Sequence, residues 1–167
     1  MKSELHDVVN EKDEVIGQAT KKELIEKHLL HRVVHIFIFN SDDRLAIQKR
    51  SSKVLTMPGK LTSSASGTVA AGESYEDAAK RELKEELGVE TELNYISKFW
   101  TETATTNAIG KLFVGKYEGK IKIDKNEVDS VIFFDLDSLE IAIRNKPDMF
   151  SENFKNAFKE YMKYEEE

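Results

Sequence analysis

The chain has 167 residues, 40% of them hydrophobic, which suits one domain with a proper core. Its formal charge of −6 argues against a general affinity for nucleic acid, because such binding needs clustered Lys and Arg to neutralise phosphates. With no cysteine, disulfides and thiolate zinc sites are excluded, which suits a reducing cytoplasm.

Only two prolines occur, Pro58 and Pro147, and no Ser/Gly-rich or low-complexity run offers a linker, so residues 1–167 read as a single domain. Within it, residues 1–30 make an N-terminal hairpin and short helix, 67–89 a central loop-helix-loop and 147–165 a C-terminal helix. The first residues are too acidic for a signal peptide. The longest apolar stretch, Val33 to Phe39, is too short to span a bilayer, so no membrane partner is expected.

In chain order, residues 4–19 read as a hairpin with a polar turn at Asn10-Glu11-Lys12-Asp13, and Thr20 with Glu23 opens a helix to about Lys27. His31 to Phe39 is rich in β-branched and aromatic residues and too continuous for a strand with one wet face, so it reads as a central strand. Asn40 to Asp43 turns the chain, and Arg44 to Lys49 returns as the hairpin partner. Arg50 and Lys53 bracket a polar connection to Met57-Pro58-Gly59-Lys60. They are either incidental charges on a solvated loop or the basic contacts that an acidic protein needs for a phosphorylated ligand. Thr62 to Ser66 is a hydroxyl-rich loop that feeds a short strand at Gly67 to Ala70.

Beyond residue 89, Thr91 to Trp100 and Lys111 to Tyr117 read as strands, with Thr101 to Gly110 a polar connection between them. Trp100, at a strand end, is expected in the core. Ile121 to Ile123 and Val131 to Phe134 read as further strands, and Asp137 begins a helix. Pro147 marks a break, after which Phe150, Phe154, Phe158 and Tyr161 at helical spacing give a final amphipathic helix packed on the core.

Gly67 to Val89 carries the chemistry. Ser74 with Asp77 makes a capping-box start, and Gly88 supplies a left-handed stop, which predicts a helix from about Tyr75 to Leu87. Ala79, Leu83 and Leu87 form a narrow apolar stripe, with Glu82, Glu85 and Glu86 on the neighbouring face. Asp77-Arg81-Glu85 and Glu76-Lys80 make ordinary opposite-charge pairs, but Glu82 and Glu86 are a like-charge i, i+4 pair near a helix C-terminus, which is unfavourable. A hard divalent cation would reverse the sign of that cost. Spacing alone leaves a solvated helix face and a cation site both open.

The whole stretch resembles the Nudix box: Gly67, five residues, Glu73, seven residues, Arg81-Glu82-Leu83, one residue, Glu85-Glu86, one residue, Gly88-Val89. With Gly at about 0.07 and each charged type at roughly 0.06 of residues, such a match arises by chance on the order of once in 10⁹ starting points. The resemblance implies an α/β class fold, an α/β/α sandwich with a mixed β-sheet, and Mg²⁺- or Mn²⁺-dependent attack of water on a small-molecule diphosphate. It makes Glu82, Glu85 and Glu86 the metal ligands, with Glu82 also orienting or deprotonating the water. Gly67, Glu73, Arg81 and Gly88 become the structural residues of the box. Family members often form homodimers, for which the N-terminal hairpin offers an edge. In the family a carboxylate outside the box often serves as an extra ligand or general base, and Glu127 stands in that place, although a loop glutamate in water explains it equally well.

His31-Arg32, Arg50 and Pro58-Gly59 also resemble the branch that contains type I isopentenyl diphosphate isomerase. That enzyme uses a cysteine ahead of the box together with a site of histidines and glutamates. Here Ser66 fills the cysteine position and Thr68 the nearby histidine position, and Ala108 to Lys111 lacks the paired glutamates. Serine is a poor proton donor and acceptor for an unactivated alkene. The expected activity is therefore hydrolysis of a diphosphate linkage in a nucleoside diphosphate derivative or similar small molecule, with Arg50 and Lys53 binding phosphate and His31, the one counterpart of the isomerase's histidine ligands, structural, held by a hydrogen bond near the sheet. The alternatives are an isomerase-like enzyme or a non-catalytic nucleotide-binding domain.

Overall fold

The computed structural model describes residues 4–167. Its organising strand is β3 (His31–Phe39), which follows the hairpin β1 (Leu5–Val9) and β2 (Val15–Thr20) and the short helix α1 (Lys21–Glu26). On one edge β3 runs parallel to β8 (Asn107–Lys116), from His31↔Ala108 to Phe39↔Lys116. On the other edge it pairs antiparallel with β6 (Ala65–Thr68) from Val33↔Thr68 to Ile36↔Ala65, and with β1 at Val8↔His31. Neighbours on both sides and helices over both faces explain why this strand is apolar without alternation.

Even positions Val34, Ile36 and Ile38 pack with Ala79, Leu83 and Leu87 of α2 (Tyr75–Leu87). Odd positions Phe37 and Phe39 pack with Leu139 of α3 (Leu136–Asn145) and with Phe154, Phe158 and Tyr161 of α4 (Glu152–Glu166). The result is the expected α/β/α sandwich on a mixed sheet. The two early hairpins turn by the same device. Asn10 Oδ1 accepts from the backbone N–H groups of Lys12 and Glu14, Asn40 Oδ1 accepts from those of Asp42 and Arg44, and Asp13 and Asp43 take positive φ.

Several boundaries differ from the sequence reading. The partnership of β3 with β4 (Leu45–Arg50) is confined to Phe39↔Leu45, because β6 already occupies that edge of β3. β4 turns instead to β9 (Val128–Phe134), from Leu45↔Phe134 to Arg50↔Val128, and to the short β5 (Leu61–Thr62). Thr101 to Gly110 is mostly strand: β7 (Asn94–Glu102) pairs with β8 down to Glu102↔Asn107, leaving residues 103–106 as the turn. Its polar look misleads because Thr101 is fully buried, where its hydroxyl donates to Asn153 Oδ1 at 2.8 Å. Residues 121–123 are not a strand. Lys122 N–H reaches Leu87 O at 2.8 Å, so this segment caps the end of α2.

Trp100 is not core. It lies half exposed on the outer face of β7, where its indole N–H donates to Asn107 Oδ1 at 2.9 Å. After a single 3-10 turn at Pro147–Met149, Phe150 precedes α4 rather than belonging to it, although its ring stacks on Phe154 with centroids 5.8 Å apart.

Candidate active site

α2 begins where its sequence requires. Ser74 Oγ accepts from Asp77 N–H at 3.0 Å, and Gly88 closes the helix at φ 64 with its N–H on Lys84 O. The capping box is only half formed, because Asp is one methylene shorter than the Glu that completes the reciprocal bond at Thr20 and Glu23 of α1.

Arg81 is the brace. Its Nε and Nη2 grip Glu73 at 2.7 and 2.9 Å, and Glu73 also accepts from Ala70 N–H at 3.0 Å, which ties the loop before α2 to the helix. The same guanidinium reaches Glu82 Oε1 at 2.7 Å and Glu85 Oε2 at 3.2 Å. At Gly67 the strand and the helix come so close that a Cβ would stand 2.2 Å from the carboxyl carbon of Glu82. Only glycine leaves room for that carboxylate.

Glu86 is 5% exposed. It accepts from Gln48 Nε2 at 2.7 Å and, at 3.4 Å, from Ser66 N–H. Burial, then the neighbouring Glu82, pushes its carboxyl well above the usual carboxylate range, and burial likewise raises Glu82. The Glu85 side chain is 57% exposed and turned to Arg81. Among the described residues no three carboxylates or imidazoles converge as a finished cation site. The expected three ligands are therefore, in this structure, a buried Glu86, a partly buried Glu82 and an exposed Glu85, the last two both on the Arg81 guanidinium. The donor chemistry still fits a hard divalent ion: two hard-oxygen groups side by side, of which Glu86 is in no ion pair among the described residues.

A cavity of about 840 Å³ gathers Arg50, Lys53, Gly67, Arg81, Glu82, Glu85, Glu86 and Glu127; Glu73 and Gly88 stand outside it. Arg50 does two things. Its Nε and Nη2 hold Thr56 O and Oγ1 at 3.0 and 3.3 Å, so it shapes the loop between β4 and β5, and its charge faces Glu86 and Glu127. Burial lowers its affinity for a proton. Lys53 is exposed at the rim, and Glu127 is exposed with its carbonyl accepting from Ser51 N–H at 3.0 Å.

Sequence reasoning missed Lys21. At the first position of α1, its ammonium donates to Thr68 Oγ1 at 2.7 Å inside the cavity, with Glu82, Glu127 and Arg50 near enough to act on its charge. Burial lowers its pKa, reinforced by the charge of Arg50. The capping box at Thr20 fixes its place in the helix, but no local pattern signals a contact across 47 residues. His6, His31 and His35 also line the cavity. As expected, a hydrogen bond holds His31, from Nδ1 to Leu29 O at 2.9 Å.

The family model of the NUDIX domain matches residues 29–155. The chain belongs to the Nudix family. The curated relatives include "Isopentenyl-diphosphate Delta-isomerase 2" of Photorhabdus laumondii, 31% identical over 153 residues that cover 89% of this chain and 86% of that protein. They also include "Uncharacterized Nudix hydrolase YfcD" of Escherichia coli K12, 31% identical over 126 residues that cover 75% and 70%. Among solved structures, DR0079 from Deinococcus radiodurans superimposes with a TM-score of 0.74 at 28% identity over 86% of this chain and 90% of that one. The Nudix match takes in the helix with its glutamates, Arg50, Lys53 and Glu127, whereas His6 and Lys21 enter the cavity from residues ahead of it.

Proposed function

We propose that this Nudix protein hydrolyses the phosphoanhydride bond of a small-molecule diphosphate with Mg²⁺ or Mn²⁺. The single observation that carries this reading is the pair Glu82 and Glu86 beside Gly67, with Glu86 buried and in no ion pair among the described residues. Glu82, Glu86 and Glu85 would hold the cation, with Arg81 neutralising Glu82 and Glu85 until it arrives. When bound, the ion lowers the pKa of water and offsets charge growing on phosphoryl oxygens. Arg50, Lys53 and Lys21 bind the phosphates, so that binding energy goes into orientation. Glu127 takes the proton of the attacking water. The bond between bridging oxygen and phosphorus breaks, and the products are a monophosphate and a second phosphate species.

A second reading rests on the relatives named as isomerases. Against it stands Ser66, where the resemblance places a thiol, in a chain without cysteine. The intact glutamate pair speaks against a purely binding domain, since a scaffold gains nothing from repulsion between buried carboxylates.

A panel of diphosphates with Mg²⁺ and Mn²⁺, assayed for released phosphate with Glu86→Gln as the blank, decides between these readings. Release that is lost in the blank is expected, and Glu127→Gln should cut turnover by about 10²-fold or more, the usual worth of a general base. A Glu127→Gln effect under about threefold removes that residue from the mechanism. Double-bond migration in isopentenyl diphosphate without phosphate release would replace hydrolase by isomerase. Tight nucleotide binding with neither product would leave a binding module.

A further inference from the structure

β4 carries one polar side chain among its buried ones. Leu45, Ala46 and Ile47 are aliphatic and fully buried, and Gln48 next to them is 1% exposed. A carboxamide is unfavourable in such a place unless its polar atoms find partners, so its hydrogen bonds are informative. Gln48 Nε2 donates to Ser64 O at 3.0 Å and to Glu86 Oε1 at 2.7 Å. A backbone carbonyl can only accept, so the end of the amide that meets both must be the nitrogen, and both its hydrogens are used.

Each member of this arrangement is itself fixed. Gln48 lies between two strands, opposite Thr62 of β5 and Val131 of β9. Ser64 is fully buried, and its Oγ accepts from Ile38 N–H of β3 at 2.9 Å and donates to Ala46 O of β4. A chain of hydrogen bonds therefore runs from β3 and β4 through Ser64 and Gln48 to a carboxylate on α2. Ser66 N–H adds a longer bond, 3.4 Å, to the same Glu86 Oε1.

The two oxygens of Glu86 are thus unlike. Oε1 is held by two N–H groups, whereas Oε2 takes no hydrogen bond from an amide, hydroxyl or cation among the described residues. No sealed side-chain oxygen there lacks a partner, so Oε2 opens on the cavity that Glu86 lines. Glu82 shows the same division, with Oε1 on Arg81 Nη1 at 2.7 Å and Oε2 without such a donor. The supports differ in charge. Arg81 offsets part of the charge of Glu82, while an amide can orient Glu86 without cancelling the charge that a cation needs.

Resting on the hydrolase reading, we propose that Gln48 is a positioning residue of the cation site, pinning Glu86 Oε1 so that Oε2 is the oxygen offered to the ion. Methionine would fill the same space among the aliphatic neighbours, but it would leave the carboxylate free to turn. Ser66 N–H, at 3.4 Å, holds too loosely to prevent that by itself.

The chain has only two glutamines, which makes this amide easy to observe: Gln18 is exposed on β2 and outside the cavity, and Gln48 lines it. In the whole chain with isotope-labelled glutamine, NMR titration with Mg²⁺ alone should move the side-chain amide resonances of Gln48 and leave those of Gln18 in place. Gln48→Met keeps the length of the side chain and removes both hydrogens. Its Mg²⁺ dissociation constant, measured by calorimetry, should rise by about tenfold or more, the usual effect of removing a group that orients a metal ligand. The Mg²⁺ concentration for half-maximal diphosphate turnover should rise in step, with kcat recovering at high Mg²⁺. Loss of packing alone would lower the melting temperature and leave the dissociation constant where it was. A folded Gln48→Met that binds Mg²⁺ within about threefold of the parent overturns the inference and leaves the hydrolase standing. Should that variant not fold, the parent decides: Gln48 resonances unmoved at saturating Mg²⁺ overturn the inference, and a shift confined to Gln48 carries it. A parent protein that takes up no Mg²⁺ and releases no phosphate would sink the hydrolase and this inference together.

Discussion

Phe37 and Phe39 at one end of β3 and His31 and His35 at the other share one face of the same strand, yet the first pair is sealed and the second floors a cavity. The boundary is where α4 begins. Phe154 lies 5.8 Å from the Phe37 ring, and Tyr161 lies 5.7 and 5.4 Å from Phe37 and Phe39, whereas Ser151 and Asn153 at the start of α4 border the cavity. One strand face can serve as core and as binding floor because its side chains repeat every second residue while the helix above covers only part of its length. The site lies in the stretch the helix leaves uncovered.

Emptying the sealed half should give the largest effect. Phe37 is fully buried among aromatic rings, and Phe37→Ala is expected to cost about 3–5 kcal/mol in urea denaturation, the range for deleting a core aromatic. A loss below about 1 kcal/mol would mean that α4 does not clamp this end of the strand.

The open half should respond to acid instead. Burial keeps His31 and His35 neutral, with pKa values down at about 4 against an ordinary 6.5. Between those values the unfolded chain binds protons that the folded rings refuse, so stability is complete above about pH 6.5 and falls as pH drops toward 4, by about 2 kcal/mol per imidazole between pH 6.5 and 5. Glu86 acts with the opposite sign, because its raised pKa makes the folded state the better proton acceptor as pH falls. Glu86→Gln should therefore steepen the loss of stability between pH 7 and 5. An unchanged slope would show that burial does not raise the affinity of this carboxyl for a proton.

Legibility followed the same division. α2 could be read to the residue because its stops are local: Ser74 at one end, Gly88 at the other and an apolar stripe between them. The continuous run from His31 to Phe39 could be read because burial on both faces removes alternation. The cavity floor could not, since its members meet only after folding. Lys21 touches Thr68 from a helix that looks like any capped turn, and Asn153 meets Thr106 across 47 residues. Polar character itself misled at Thr101, where a side-chain hydrogen bond to Asn153 lets a threonine sit in the interior. Arg50 read as either an incidental loop charge or a phosphate contact, and nothing local in the sequence showed that it pins its own loop at Thr56.

Two glycines bring the comparison to its finest scale. At Gly110 a Cβ would stand 2.9 Å from Phe99, a ring fixed in the sealed half, so Gly110→Ala should cost stability, about 1–3 kcal/mol by overpacking, with little change in turnover per folded molecule. At Gly67 the added methyl would meet the carboxylate of Glu82 at 2.2 Å, a tighter approach but against the end of a flexible side chain. Gly67→Ala should therefore melt within about 0.5 kcal/mol of the parent protein, as substitutions that relax without breaking packing do. The carboxylate can relax only by leaving its place beside Glu86, so Mg²⁺ affinity measured by calorimetry and diphosphate turnover should both fall by about tenfold or more, the scale on which a misplaced catalytic group is felt. If Gly67→Ala instead lost stability and kept its cation, Glu82 would be packing the fold rather than waiting for a ligand.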